Sequence, residues 1–498
     1  MIARNDEETF QLTYLDQNAA RCYIQTLQVF PFDAEASMDV AVNALREALW
    51  ATLQEMPFFA GTVGRADQKT GILPLRYPTQ LSEEDKTRLF KHKVLTPDEF
   101  PATYAHLKER GMPPSALAAH MFCPEVLRDM PGVPPNAEGT INCLHPFPVL
   151  AVQAFFIQGG LVLSIYVSHN VVDCSGLAQL WKCYADSVSR LGLPPQPSKR
   201  SPPSAESLLA TQIHEVPNQS DLRGMLNARI PDIENPVADL FVREPFEYSK
   251  TLDDDTPCSA KIFIICYDRI RALRDQLRNT LAPGAHLSIC NVIGALVWIS
   301  VCRARAARLE RGGHTTTRLG VAVDCRKNLD PPLDENFMGA MAIFAKAELP
   351  LSSLISGRSV SHETILAAAL EVRKTVDGID KAWVERHLAF FKSKIPILDA
   401  EPALKFRFGP DAYLTSWLHF GADIKWNIPG TTSPSPDFIR RTTDNKSDGG
   451  TIILPRRKGG PDGKEAPFEV LVRLADEDMQ RLEADKGGLR SWSEYVIQ

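Results

Sequence analysis

The apolar run from Phe147 to Val167 is broken by Gln153, Gln158 and the Gly159-Gly160 pair, and it ends on Ser168-His169. A glycine pair between two β-rich arms makes a hairpin, not a membrane span. Directly after it, Leu177, Leu180, Trp181, Tyr184, Val188 and Leu191 fall on one helical stripe, with Ser175 as the expected cap. That helix covers the sheet to which the hairpin belongs. His169 therefore stands at a strand end, in the loop that hands the chain to a covering helix, with Asp173 four positions on. An imidazole is the side chain whose ordinary pKa lies nearest neutrality, so a histidine mounted there and facing a cleft can accept a proton from a hydroxyl or amine.

With 498 residues, 44% of them hydrophobic and 23% charged, the chain is globular and long enough for two or three domains. A net charge of -6 gives no basic field for nucleic acid, so none is expected as a partner. The ten cysteines are scattered, without a C-x-x-C pair or metal-ligand spacing. They read as reduced thiols of an intracellular protein, and no metal is expected. The amino terminus, Met-Ile-Ala-Arg-Asn-Asp-Glu-Glu, lacks the basic and apolar regions of a signal peptide. A cytoplasmic location is expected.

Strand and helix patterns alternate in both halves. Between Ala34 and Met56, Val42, Leu45, Leu49 and Leu53 mark a helix that Pro57 stops before a strand. Leu193 to Ser204 holds five prolines and reads as an extended connector between domains. Beyond it come a strand at Lys261–Tyr267, a helix at Asp268–Arg278, a long apolar helix over Ser288–Leu309 and a strand at Leu319–Asp324. Helices follow over His362–Phe391, strands at Thr451–Leu454 and Phe468–Leu474, and a helix from Asp476. The pattern predicts two α/β lobes.

No G-x-S-x-G, H-E-x-x-H or G-x-G-x-x-G occurs, which leaves hydrolase, metalloprotease and dinucleotide readings without support. Two H-x-x-x-D pentapeptides do occur, His169–Asp173 and His419–Asp423. Only the first has the strand, turn and helix setting. Cys174, beside Asp173, has nothing nearby to depress a thiol pKa and is read as a packing residue.

Several short segments together carry a resemblance to a known family. In chain order these are Tyr14-Leu15-Asp16, Pro57-Phe58-Phe59-Ala60-Gly61, His169-Asn-Val-Val-Asp173, Leu287-Ser288, Val323-Asp324-Cys325-Arg326 with Pro331-Pro332 and Gly339, Thr415-Ser416-Trp417, and Ile453-Leu454-Pro455. The chain resembles the BAHD acyltransferases, the coenzyme A-dependent family related to chloramphenicol acetyltransferase, and within it the fungal branch of the trichothecene acetyltransferases. It departs in two places. Cys174 and Ser175 intervene before Gly176, and the D-F-G-W-G segment survives only as Asp423-Ile-Lys-Trp426-Asn.

The resemblance implies a two-lobed α/β fold with mixed sheets flanked by helices and an active-site tunnel between the lobes. Residues 1–192 would form the N-terminal lobe, also receiving a segment near 423–445; 193–235 would be the crossover and 236–498 the C-terminal lobe. His169 would be the general base, Asp173 would pair with Arg326 to fix the loop, and Trp417 would donate to the oxyanion. Gly176, Asp423 and Trp426 would support the site, while Thr415 and His419 would lie on the acceptor side. Ser288, Lys261, Arg456 and Arg457 would contact coenzyme A. The implied enzyme is a monomer that uses acetyl-CoA or another acyl-CoA as co-substrate and holds no permanent cofactor. Its implied acceptor is a hydroxyl of a fungal-type secondary metabolite. An amine acceptor and a catalytically inactive binding scaffold stand as alternatives.

Overall fold

In the strand Cys258–Ile265, Ile262 and Ile264 pack into one hydrophobic core while Phe263 and Ile265 pack into another. A period of two puts successive side chains on opposite faces, so this strand belongs to a sheet buried on both sides. The structure is a computed structural model that describes residues 7–192, 217–282, 286–357, 359–397, 402–443, 446–457 and 464–498. Among these, that sheet has seven strands in the order Ala342–Pro350, Thr316–Asp324, Ala412–Ser416, Gly450–Ile453, Phe468–Ala475, Cys258–Ile265, Tyr495–Ile497. One face carries the helices Tyr267–Arg278, Ile289–Arg311 and His362–Asp377; the other contributes Ile262, Ile264, Ile452 and Leu471 to the core of the N-terminal half. The two halves thus share apolar surface.

The N-terminal half is built on a five-stranded sheet, in the order Phe438–Arg440, Tyr23–Pro31, Gly160–Ser168, Leu150–Ile157, Phe90–Val94. Leu150–Ile157 and Gly160–Ser168 form the hairpin, every residue of both buried. Its turn is Gln158-Gly159, one residue earlier than the glycine pair suggests, because Gly160 already pairs with Ile157. Gly159 supplies a φ of +75°, which L side chains rarely adopt, and a Cβ on Gly160 would stand 2.8 Å from the Tyr104 ring. The two glycines have different jobs.

The helices Met38–Glu55 and Cys174–Gly192 pack on each other and onto this sheet, with Val42, Leu45, Leu49, Leu177, Leu180 and Trp181 in one core with Leu163 and Ile165. Pro57 does end the first helix, but the next piece is a 3-10 turn, Pro57–Ala60, rather than a strand. A smaller four-stranded sheet joins Glu7–Phe10, Leu75–Pro78, Thr62–Val63 and Phe147–Pro148.

The carboxyl-terminal segment returns to the first half, where Phe438–Arg440 pairs antiparallel with Leu27–Val29 of the strand Tyr23–Pro31. The proline-rich connector, Leu193 to Ser204, lies outside the described residues. Within the expected crossover, Gln219–Arg229 is a helix that buries Arg223 completely. Ile289–Arg311 is the one helix among the described residues long and apolar enough to cross a membrane, and 72% of its apolar window is buried inside the protein.

Candidate active site

The hairpin's second strand ends at Ser168, and the His169 amide adds one more bond, donating to Cys22 O at 2.9 Å. Val171 N then donates to Ser168 O at 3.1 Å and turns the chain. The Asn170 side chain anchors the turn by donating to Asp16 O and Ala19 O, both at 3.0 Å. Asp173 ends the loop and starts the helix Cys174–Gly192. Its Oδ1 accepts from Ser175 N at 3.0 Å and Gly176 N at 3.1 Å, and its carbonyl accepts the first helical bond from Leu177 N at 2.9 Å. Asp173 is therefore the cap expected of Ser175, whose hydroxyl instead donates to Asp324 at 2.9 Å.

The same carboxylate meets Arg326 in a two-pronged pair, Nη1 to Oδ2 at 2.9 Å and Nη2 to Oδ1 at 2.8 Å, and Oδ2 also accepts from Met341 N at 2.9 Å. Every guanidinium donor has an acceptor, the others being Phe337 O, Gly339 O and the Asp324 carboxylate. Burial alone would push the Asp173 carboxyl up; the Arg326 charge and the hydrogen bonds outweigh it and hold the group below its usual range. Asp173 points into this network and serves as a brace. Gly176 lets the helix start close to the opposite segment, since a Cβ there would stand 2.1 Å from Met338 O.

His169 is itself half-buried, and its Nδ1 is buried with no partner beyond its own residue. Nε2 makes no hydrogen bond among the described residues and is not one of the sealed polar atoms. Desolvation lowers its pKa; its own main chain and the charges of Asp173 and Asp16 oppose this, and the net shift is downward. At neutral pH the ring is an uncharged base with an open nitrogen. The Cys174 thiol is pushed well up by burial and by Asp173, which removes it as a nucleophile.

Trp417 follows the strand Ala412–Ser416, its amide donating to Ile453 O at 2.8 Å. The ring is only 5% exposed and belongs to the core that also holds Met338 and Val172. Its indole nitrogen makes no hydrogen bond among the described residues, yet unlike those of Trp181 and Trp426 it is not sealed. Thr415 is half-buried on the same strand, paired in register with Ile452.

Other expected site residues are placed differently. His419 is exposed in the turn after that strand, and Asp423 is exposed as well. Trp426 is fully buried edge-on to Phe30 and Tyr184, a core residue of the first half. The Ser288 hydroxyl is taken up by the cap of Ile289–Arg311, donating to Asn291 Oδ1 at 2.7 Å and accepting from Asn291 N at 3.1 Å. Lys261 pairs with Glu483 at 2.7 Å. Arg456 lies over the rings of Tyr267 and Phe468 and pairs with Glu465, and Arg457 is held by Pro436 O and Asp437. These three basic groups thus meet carboxylates of the chain itself.

A second buried ion pair escaped the sequence reading. Arg223 Nε donates to Asp16 Oδ2 at 3.0 Å, and both side chains are completely buried. Arg223 also lies over Phe10, Phe58 and Phe337, and Arg326 lies over Phe337 as well. Asp16 was visible as part of a family segment; no periodicity or spacing marks Arg223.

Comparison with known proteins agrees with this architecture. Residues 137–488 match the family described as the transferase family, and residues 22–186 match the trichothecene 3-O-acetyltransferase-like N-terminal domain. The chain belongs to the transferase family. It is an acyl-CoA-dependent acyltransferase with the BAHD fold. Trichothecene 8-O-acetyltransferase of Fusarium sporotrichioides is 24% identical, with 97% of each chain covered. An eremophilane O-acetyltransferase of Penicillium roqueforti is 22% identical, with 95% of each covered. The crystal structure of F. graminearum TRI101 with coenzyme A and deoxynivalenol has a TM-score of 0.71 at 20% identity, covering 98% of this chain and 99% of that one.

Proposed function

We propose that this protein transfers an acetyl group from acetyl-CoA to a hydroxyl of an apolar, fungal-type secondary metabolite, with His169 as general base. The observation that carries the reading is an uncharged imidazole at a strand end, with Nε2 unbonded, on a loop locked by the Asp173–Arg326 pair. Relatives whose names specify O-acetylation of trichothecenes and eremophilanes supply the acceptor class.

His169 Nε2 takes the hydroxyl proton as the acceptor oxygen attacks the thioester carbonyl. The C–O bond forms, the carbonyl becomes a tetrahedral oxyanion, and the proton is held on the imidazole as imidazolium. Collapse breaks the C–S bond, and the imidazolium returns the proton to the leaving thiolate, giving ester and free coenzyme A. No covalent enzyme intermediate is needed. The open indole N–H of Trp417 supports its assignment as oxyanion donor, a contribution of about 3 to 4 kcal/mol for a preorganised group. We include a monomeric state and a cytoplasmic location in the proposal; ten free cysteines support the latter.

The test is incubation with acetyl-CoA and a panel of sesquiterpenoid alcohols, matched amines and alcohol-free controls, following free thiol and product mass. Alcohol-dependent thiol release with a gain of one acetyl group is expected. Acetylation confined to amines would refute O-transfer, and coenzyme A binding without turnover across the panel would indicate a scaffold.

A further inference from the structure

The Asp16–Arg223 pair reaches the His169 loop from outside it. Arg223 comes from the helix Gln219–Arg229 and Asp16 from the helical turn Tyr14–Gln17, so two remote elements converge on one loop. Arg223 Nη2 donates to Val171 O, between His169 and Asp173, at 2.6 Å. The Asp16 carbonyl holds Asn170, adjacent to His169, at 3.0 Å. Across the site, Asp16 Oδ1 accepts from Ala340 N at 2.7 Å, next to the Met341 amide that Asp173 holds. Arg223 Nη1 donates to Gln219, whose side-chain oxygen also accepts Met338 N at 2.9 Å.

A pair serving stability alone can be replaced by apolar groups of similar volume at little loss. Here the hydrogen bonds beyond the pair fall on the loop at Asn170 and Val171, on the segment facing it, and on the elements that carry the pair. We propose that Arg223, together with Asp16, is a positioning residue for His169, fixing the loop at Asn170 and Val171 so that the imidazole meets the acceptor hydroxyl. The proposal rests on the general-base reading above. Misplacing a reacting group by about 1 Å can cost on the order of 100-fold in rate. Loss of the Val171 contact therefore belongs in kcat.

The charged groups facing His169 are Asp173 from its own loop, Asp16 from the first helical turn and Arg441 beyond the strand Phe438–Arg440. Arg223→Lys keeps the charge opposite Asp16 but cannot bridge to Val171 as well. Asp16→Asn removes one anion that favours the protonated imidazole. With folded fractions fixed by circular dichroism, Arg223→Lys is expected to lower kcat about 10-fold or more, with the KM values for acetyl-CoA and acceptor little changed and the pH profile unmoved. Asp16→Asn is expected to lower kcat and move the acid limb of the profile to lower pH. Parental kcat in folded Arg223→Lys, or a loss accounted for by unfolded protein, overturns the proposal, as does an unmoved limb in Asp16→Asn. His169→Ala separates the two readings. If it is inactive while Arg223→Lys is unaltered, only the positioning role falls; if it is active, the general base falls first.

Discussion

At the scale of the residue, the chemistry rests on His169 being uncharged where it works. Burial lowers its pKa, and the base form is the active one, so the plateau of kcat/KM covers neutral pH and activity falls only as pH drops through the depressed value. The acid limb is therefore expected below the ordinary histidine value of about 6.5. A pH–rate profile with a limb well above that value would mean that the ring is held protonated. Trp417→Phe keeps the aromatic volume and removes the donor. It is expected to lower kcat by about 100- to 1000-fold with the fold unchanged, measured by steady-state kinetics beside a thermal melt. A loss below threefold would return Trp417 to the role of core filler.

At the scale of the element, the start of Cys174–Gly192 joins folding to function, because the residue that caps the helix also pairs with Arg326. Gly176→Ala would drive a Cβ into Met338 O and force the helix away from the facing segment. Overpacking of this kind costs about 1 to 3 kcal/mol, so chemical denaturation should show that loss together with reduced kcat. Unchanged stability would mean the segment yields freely. The long periodic elements, Met38–Glu55, Cys174–Gly192 and Ile289–Arg311, were legible because many apolar positions repeat the same signal. The strand Ala342–Pro350 was not. It buries Ile343, Ala345 and Ala347 on its inward face, and alanine carries little strand signal. In the site, His169, Asp173, Arg326 and Trp417 could be read from ordered motifs. The partner of Lys261 was not legible, because a cation in sequence does not show its acid, and Glu483 lies 222 positions away.

At the scale of the whole molecule, the halves are held together by chain exchange as well as by shared core. The strand Phe438–Arg440 completes the N-terminal sheet, and Arg440 pairs with Glu469 of the C-terminal sheet at 2.6 Å while only 2% exposed. Glu469 retains some solvent contact, which places Arg440→Ala at the lower end of the range for breaking a buried pair, about 3 kcal/mol. Equilibrium unfolding of that variant measures the loss, and a change under 0.5 kcal/mol would show that the exchange is held by apolar contacts alone. The base stands at the end of a strand of one sheet, its loop is tied by the Asp173–Arg326 pair to the other half, and the indole follows a strand of the second sheet. Composition excludes many functions for such a chain, but which loops meet is a property of topology, and that is why Arg223 could not be read in advance.

The most direct test is the rate of thiol release from acetyl-CoA, with a turned-over alcohol at saturation, in His169→Ala and the parent protein. A positioned general base contributes about 100- to 10,000-fold, so the variant should fall by at least the lower figure with its melting curve intact. A correctly folded His169→Ala protein that keeps most of the parental rate would contradict the account.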